Sequence, residues 1–207
     1  MSKIEFNKLE KRRLLLNAAH KLFSEKGFAK TAISDIVEKA GVAKGTFYLY
    51  FKDKYDIKDQ LVLHSTRELF ASSISKLKKS GLNDPDECFL YMINATLDLL
   101  CRNRPLLILI NKNLNPGLFE KVLEGDELAN DVKYLTSFDY FKKKVLCAYR
   151  DPELLSYMIM EFVGSTAFSS ILDNDPIPID ILRPHILDAA KQIIISHRID
   201  PGQSENL

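Results

Sequence analysis

The segment from Thr31 to Lys54, TAISDIVEKAGVAKGTFYLYFKDK, gathers the side chains in this chain that are best placed to do chemistry. A short helix is expected over about Lys44 to Phe51. Phe47 and Phe51 stand four apart in it and, with Val42, can anchor it against neighbouring helices. Lys44, Thr46, Tyr48 and Tyr50 point away from that anchor, and each carries a hydrogen-bond donor. The chemistry this suits is recognition rather than bond making. Donors and a fixed positive charge fit phosphate oxygens and base edges, provided a buried side sets the angle of the helix. Gly45 has no side chain in the middle of the exposed strip, which lets backbone approach such a surface closely.

Two further helices must hold that strip. The first is expected from about Phe6 to Lys26, where Leu15, Ala18, Ala19, Leu22 and Phe23 repeat at helical spacing and Gly27 ends the run. The second runs from about Thr31 to Ala40, with Ile33, Ile36, Val37 and Ala40 inward and Gly41 after it. Two short helices separated by Ala40-Gly41-Val42-Ala43 match a helix-turn-helix, whose tight turn commonly carries glycine.

Other chemistries find no support. His20, His64, His185 and His197 lack any carboxylate or thiol pattern around them, and there is neither a glycine-rich phosphate loop nor a G-x-S-x-G turn. Asp173, Asn174, Asp175 and Asp180 suggest a calcium loop only superficially, because prolines and a missing terminal Glu break its spacing. Cys88, Cys101 and Cys147 are scattered and odd in number, which argues against disulfides or structural zinc and for a reducing cytoplasm. The expectation is a protein that is not an enzyme and needs no cofactor and no metal.

With 207 residues, 46% hydrophobic and 28% charged, the chain can build one core, or a core plus a small head. Its net charge of +1 conceals an asymmetry: residues 1–60 hold 13 Lys/Arg against 8 Asp/Glu, and the remainder 16 against 20. A basic head on a mildly acidic body is expected when one end meets phosphates. The longest apolar run, Leu106 to Ile110, is far short of the ~20 residues of a membrane span, and MSKIEFNKLEKRR lacks the apolar stretch of a signal peptide. No membrane association is expected.

Thr31, Ile36, Ala40, Gly41, Val42, Gly45, Phe47, Tyr48, Tyr50, Phe51 and Lys54, preceded by Ala18–Phe28 (AAHKLFSEKGF), together resemble the head signature of the TetR family of regulators. The resemblance covers about the first quarter of the chain. It implies an all-α fold of about nine helices, with a DNA-binding domain over 1–53 and a ligand-binding and dimerisation domain over 54–207. It places Lys44, Gly45 and Thr46 at the major groove, joined by Leu49 through apolar contact and by Ser34 as an extra reader. Tyr48 and Tyr50 would meet the sugar-phosphate backbone, and Lys54 and the Thr31 end of the second helix would meet phosphates. Ala43 departs from the family's usual Ser, which removes a cap hydroxyl worth about 1 kcal/mol.

The resemblance further implies a homodimer on a pseudo-palindromic double-stranded DNA operator. The last two long helices would pair across a two-fold. Leu155, Ile159, Phe162, Val163 and Thr166 form one candidate seam, with Gly164 and Ala167 allowing close approach; Ile186, Ala190, Ile193 and Ile194 form another. A small-molecule inducer is expected inside the body. The body is rich in Phe, Tyr and Met and short of inward Lys or Arg, so the inducer should be neutral or cationic and lipophilic. Tyr134, Phe138 and Tyr157 are the candidate lining residues, while Arg102 and Arg104 read as solvated helix-end charges. The alternative is an adaptor of the same fold that works through a protein partner.

Overall fold

The computed structural model describes residues 3–124 and 132–199, with side chains over 6–123 and 135–199. The described residues form ten α-helices, one more than the sequence count: α1 Lys3–Lys26, α2 Ile33–Ala40, α3 Lys44–Tyr48, α4 Lys54–Ser80, α5 Pro85–Arg102, α6 Arg104–Asn113, α7 Pro116–Glu124, α8 Val132–Lys144, α9 Pro152–Asp173 and α10 Ile179–Ser196. Asn103 and Asn115 each start a separate short helix, their side-chain oxygens accepting from Leu106 N–H (3.1 Å) and Leu118 N–H (3.0 Å). The polar tail from Asp200 and the expected start of the eighth helix near Asp126 lie outside the described residues.

The chain separates into two compact units, Met1–Ser65 and Thr66–Leu207. The division falls inside α4, later than the expected boundary at residue 53. The reason is packing: Ile57 and Leu61 on the first turns of α4 are buried, and Arg12 of α1 donates to Gln60 at 2.7 Å. In this first unit Leu15, Ala19, Ile36, Phe47 and Ile57 are completely buried. Gly41 (φ 67°) turns the chain out of α2, its N–H on Glu38 C=O and that of Val42 on Val37 C=O.

In the second unit α5 begins on a carboxylate cap. The Asp84 carboxylate accepts from the N–H groups of Asp86 and Glu87 at 2.9 and 3.0 Å. These bonds, with Arg198 beside it, hold its carboxyl below the usual range. Arg198 also reaches Asp86 (3.0 Å), which accepts from the Tyr149 hydroxyl (2.6 Å), so the end of α10 is tied to the start of α5. That tie also sets the end of α8. The chain leaves α8 at Lys144, makes a 3₁₀ turn over Leu146–Ala148, and Tyr149 pairs with Arg198 instead of continuing the helix.

Two expectations about α9 change. It is long and apolar enough to cross a membrane by length and composition (22 residues, with a mean hydropathy of 1.3 over an 18-residue stretch), although no such segment was expected. Its Leu155, Ile159, Val163, Ala167 and Ile171 nevertheless form a buried stripe, as in the core helix of a bundle. The expected dimer seams are therefore largely internal: Leu155, Ile159, Val163 and Ala167, and Ile186, Ala190 and Ile194 of α10, are buried within the single chain. Because α9 is apolar on most faces, periodicity alone could not tell its inner stripe from its outer one. The outward apolar side chains are Leu154, Met158, Ile181 and Ile195.

Candidate nucleic-acid interface and ligand cavity

The anchoring of α3 follows from two rings. Phe47 and Phe51 are 0% and 1% exposed with centroids 5.5 Å apart, and Arg12 lies over the Phe51 ring. The regular helix stops at Tyr48, three residues earlier than expected. Leu49 and Tyr50 donate three residues back, to Thr46 and Phe47, and this tighter turn brings Phe51 inward. Ala43 gives α3 no side-chain cap, as its missing hydroxyl requires.

Opposite the rings the strip is open. Lys44 and Gly45 are exposed, Thr46 and Tyr50 half-buried, Tyr48 53% and Leu49 79% exposed. Ser34 on α2 is exposed as well. A leucine left this far in water gains little for the fold. Gly45 is equally unrequired by the free protein, because a Cβ there would meet nothing within 4 Å. Lys30 and Lys52 are further exposed cations of this unit.

Two expected contacts have other occupations. Thr31 is 1% exposed and its hydroxyl donates to Gly27 C=O at 2.8 Å, closing the loop between α1 and α2. The Lys54 ammonium donates to Phe28 C=O (3.0 Å) and Thr31 C=O (3.1 Å) and lies 4.4 Å from the Phe28 ring centre. With donors on these carbonyls, Lys54 clasps that loop. Across the same region Lys26 pairs with Asp35 at 2.5 Å, which lowers the Asp35 carboxyl pKa, helped by the Ala32 N–H.

The second unit holds a partly open cavity of about 110 Å³ lined by α4 to α9. Its wall includes Thr66, Leu69, Met92, Leu97, Phe141 and Ile159. Of the three sequence candidates, Phe138 is on this wall. Tyr157 is not; it stacks on Phe119 (5.9 Å) in a neighbouring recess shared with Glu120, Lys142 and Glu153. The Tyr134 side chain lies outside the described residues. Arg102 and Arg104 are exposed and absent from the wall, as expected. Gly164, expected at a dimer seam, is instead part of the wall. Burial raises the thiol pKa values of Cys88 and Cys101, the opposite of what a reactive cysteine needs.

Residues 15–61 match the family model of bacterial regulatory proteins, tetR family. The HTH-type transcriptional regulator YvdT of Bacillus subtilis is 39% identical over 84 residues, covering 41% of this chain and 40% of that protein. The chain spans about two-fifths of the length of the curated relatives it matches. Likeness to solved structures is broader. A TetR-family regulator from Syntrophomonas wolfei superposes with a TM-score of 0.60 at 23% identity over 90% of this chain and 95% of its own. The regulator FadR from Bacillus subtilis, solved in complex with stearoyl-CoA, gives 0.57 at 23% identity over 86% and 96%. The helix-turn-helix with its outward strip and the family match over it lead to one assignment: residues 15–61 form a head of the tetR family of bacterial regulatory proteins, and the chain shares the all-helical fold of the solved TetR-family regulators.

Proposed function

We propose that this protein is a ligand-responsive transcriptional regulator, a repressor that binds a pseudo-palindromic operator as a homodimer and is released by a small-molecule inducer. The observation that carries the reading is the α3 strip, with Phe47 and Phe51 buried behind it and Leu49 79% exposed in front. Lys44, Gly45, Thr46 and Leu49 would face the major groove with Ser34 beside them, and Tyr48 and Tyr50 the backbone. A two-fold dimer would set two such strips about 34–36 Å apart, one turn of duplex.

Support for the dimer comes from the outward apolar residues Leu154, Met158, Ile181 and Ile195 on α9 and α10, which want a partner surface. Support for induction comes from the cavity. A ligand that binds one of two dimer arrangements better shifts the population toward it, and α4, whose range crosses from one compact unit into the other, is the natural lever. Such a regulator would work in the cytoplasm, where the operator is.

The test is fluorescence anisotropy on an operator selected from random duplexes, across a salt series. Wild-type affinity should fall steeply with salt. Lys44→Ala should relax specificity at one position per half-site by about 1–3 kcal/mol, whereas Tyr48→Ala should weaken all sequences alike. No salt-dependent duplex binding by the wild type would favour the adaptor reading, and unchanged affinity in both variants would sink the proposed orientation.

Gly45 gives a separate expectation. Gly45→Ala should stabilise the head by up to about 1 kcal/mol, since alanine is the better helix former and its methyl meets no neighbour. The same methyl should weaken operator binding where backbone approaches the duplex. Thermal melting and anisotropy on one preparation would show the two effects with opposite sign; a variant both more stable and equally tight would place Gly45 away from DNA.

A further inference from the structure

We propose that the cavity of the second unit holds a compact, uncharged, largely apolar molecule with a single hydrogen-bonding group, and that this group pairs with the hydroxyl of Thr66. The proposal rests on the reading of this cavity as the sensor site and names the chemistry of what it senses.

Thr66 is 1% exposed, lies on the cavity wall, and its Oγ1 has no hydrogen-bond partner. The two other hydroxyls of the wall are satisfied within the protein. Thr96 donates to Met92 C=O at 2.8 Å and stands 3.0 Å from Ser73 Oγ, while Ser156 donates to Pro152 C=O at 2.7 Å. A helical threonine has a ready acceptor in the carbonyl four residues back, so an orphaned hydroxyl is a departure that costs stability. Water does not resolve it, because a buried water needs two to four polar partners and this wall offers one unpaired side-chain group among the described residues.

Gly164 is a second, independent sign. It sits in the interior of α9 and on the same wall, and a Cβ built on it would meet nothing within 4 Å. Alanine would be the better helix former there, so the fold itself has no use for glycine at this position. Two features that each lower stability therefore open onto one space.

Size and charge limit the occupant. An apolar cavity of about 150 Å³ accommodates benzene, so the about 110 Å³ here suits a molecule on the scale of one ring, with small adjustments of Met92 and Met160. No Lys, Arg, His, Asp or Glu stands among the described wall residues. A buried charge without a counter-charge is prohibitive, which argues against anions and also against the cations that the sequence left open.

The experiment is calorimetric titration of the full chain, without DNA, using toluene, p-cresol and benzoate as three probes of one shape. Wild type should bind p-cresol about 3- to 10-fold more tightly than toluene, the increment of one net hydrogen bond, and should not bind benzoate. Thr66→Val keeps the shape and removes the hydroxyl; p-cresol affinity should fall to the toluene level while toluene binding persists. Gly164→Leu should raise the melting temperature by about 2–4 °C and weaken both neutral probes. Absence of binding by either neutral probe, equal affinities in the wild type, a p-cresol preference that survives in Thr66→Val, or binding of benzoate would each overturn the proposal. Operator release is measured separately by anisotropy. If p-cresol binds through Thr66 without altering operator affinity, the sensor reading fails and the cavity assignment stands. Release only by a charged compound would leave the sensor reading intact and overturn the neutral-ligand assignment.

Discussion

The double variant Leu154→Asp/Ile195→Asp is expected to be a folded monomer whose operator affinity is lower by about 10²–10⁴-fold, the advantage that two linked sites hold over one. Leu154 and Ile195 are 53% and 43% exposed in the single chain, so the substitutions leave its interior untouched. In a homodimer joined through α9 and α10 they would place four unpaired carboxylates in an apolar seam, where an uncompensated charge is costly. Sedimentation velocity would show the change of mass, circular dichroism the retained helix, and anisotropy the lost affinity. Ile159→Asp behaves differently. Ile159 is 5% exposed and lines the cavity, so a carboxylate there should cost several kcal/mol and unfold the body rather than dissociate it. A folded dimer of the Leu154/Ile195 variant would move the interface to other helices.

Phe47→Ala is expected to have the largest effect in the head, a loss of about 3–5 kcal/mol. Phe47 is completely buried, stands 5.5 Å from the Phe51 ring and 5.3 Å from that of Tyr48, and supplies the carbonyl that receives both Tyr50 and Phe51 N–H. α3 has only five regular residues and no side-chain cap, so little else holds it once the ring is gone. Hydrogen exchange should show the amides of Lys44 to Phe51 deprotected, and operator binding should vanish at every salt concentration. Tyr48→Ala is the matched control. Its ring is about half in water, so its stability should stay within about 0.5 kcal/mol of the parent while DNA affinity falls. Protected α3 amides in Phe47→Ala would show that the recognition helix is held by something other than its buried ring.

The sequence by itself determined the head. Leu15, Ala19, Ile36, Phe47 and Phe51 are inside and Lys44, Gly45 and Leu49 outside, as their spacing requires, because an amphipathic helix has only one face it can bury. Gly41 marks the turn because its left-handed conformation is cheap only for glycine. The all-helical body was equally readable, since helices too depend on neighbours within a few residues.

Only the tertiary structure decided which side of α9 faces inward, because a helix apolar on most faces offers periodicity no single answer; hence Leu155, Ile159 and Val163 are core where a dimer seam was expected. It also decided what the polar groups do. Lys54 closes on carbonyls 23 and 26 residues earlier, and Thr31 on the carbonyl of Gly27. Thr66, an unremarked hydroxyl between Ser65 and Arg67 in the sequence, ends in the cavity wall without a partner among the described residues, while Tyr157 lies outside that wall. The common reason is that a hydrogen bond or a cavity depends on atoms brought together from distant parts of the chain, and residue type and spacing report only what lies within a few turns.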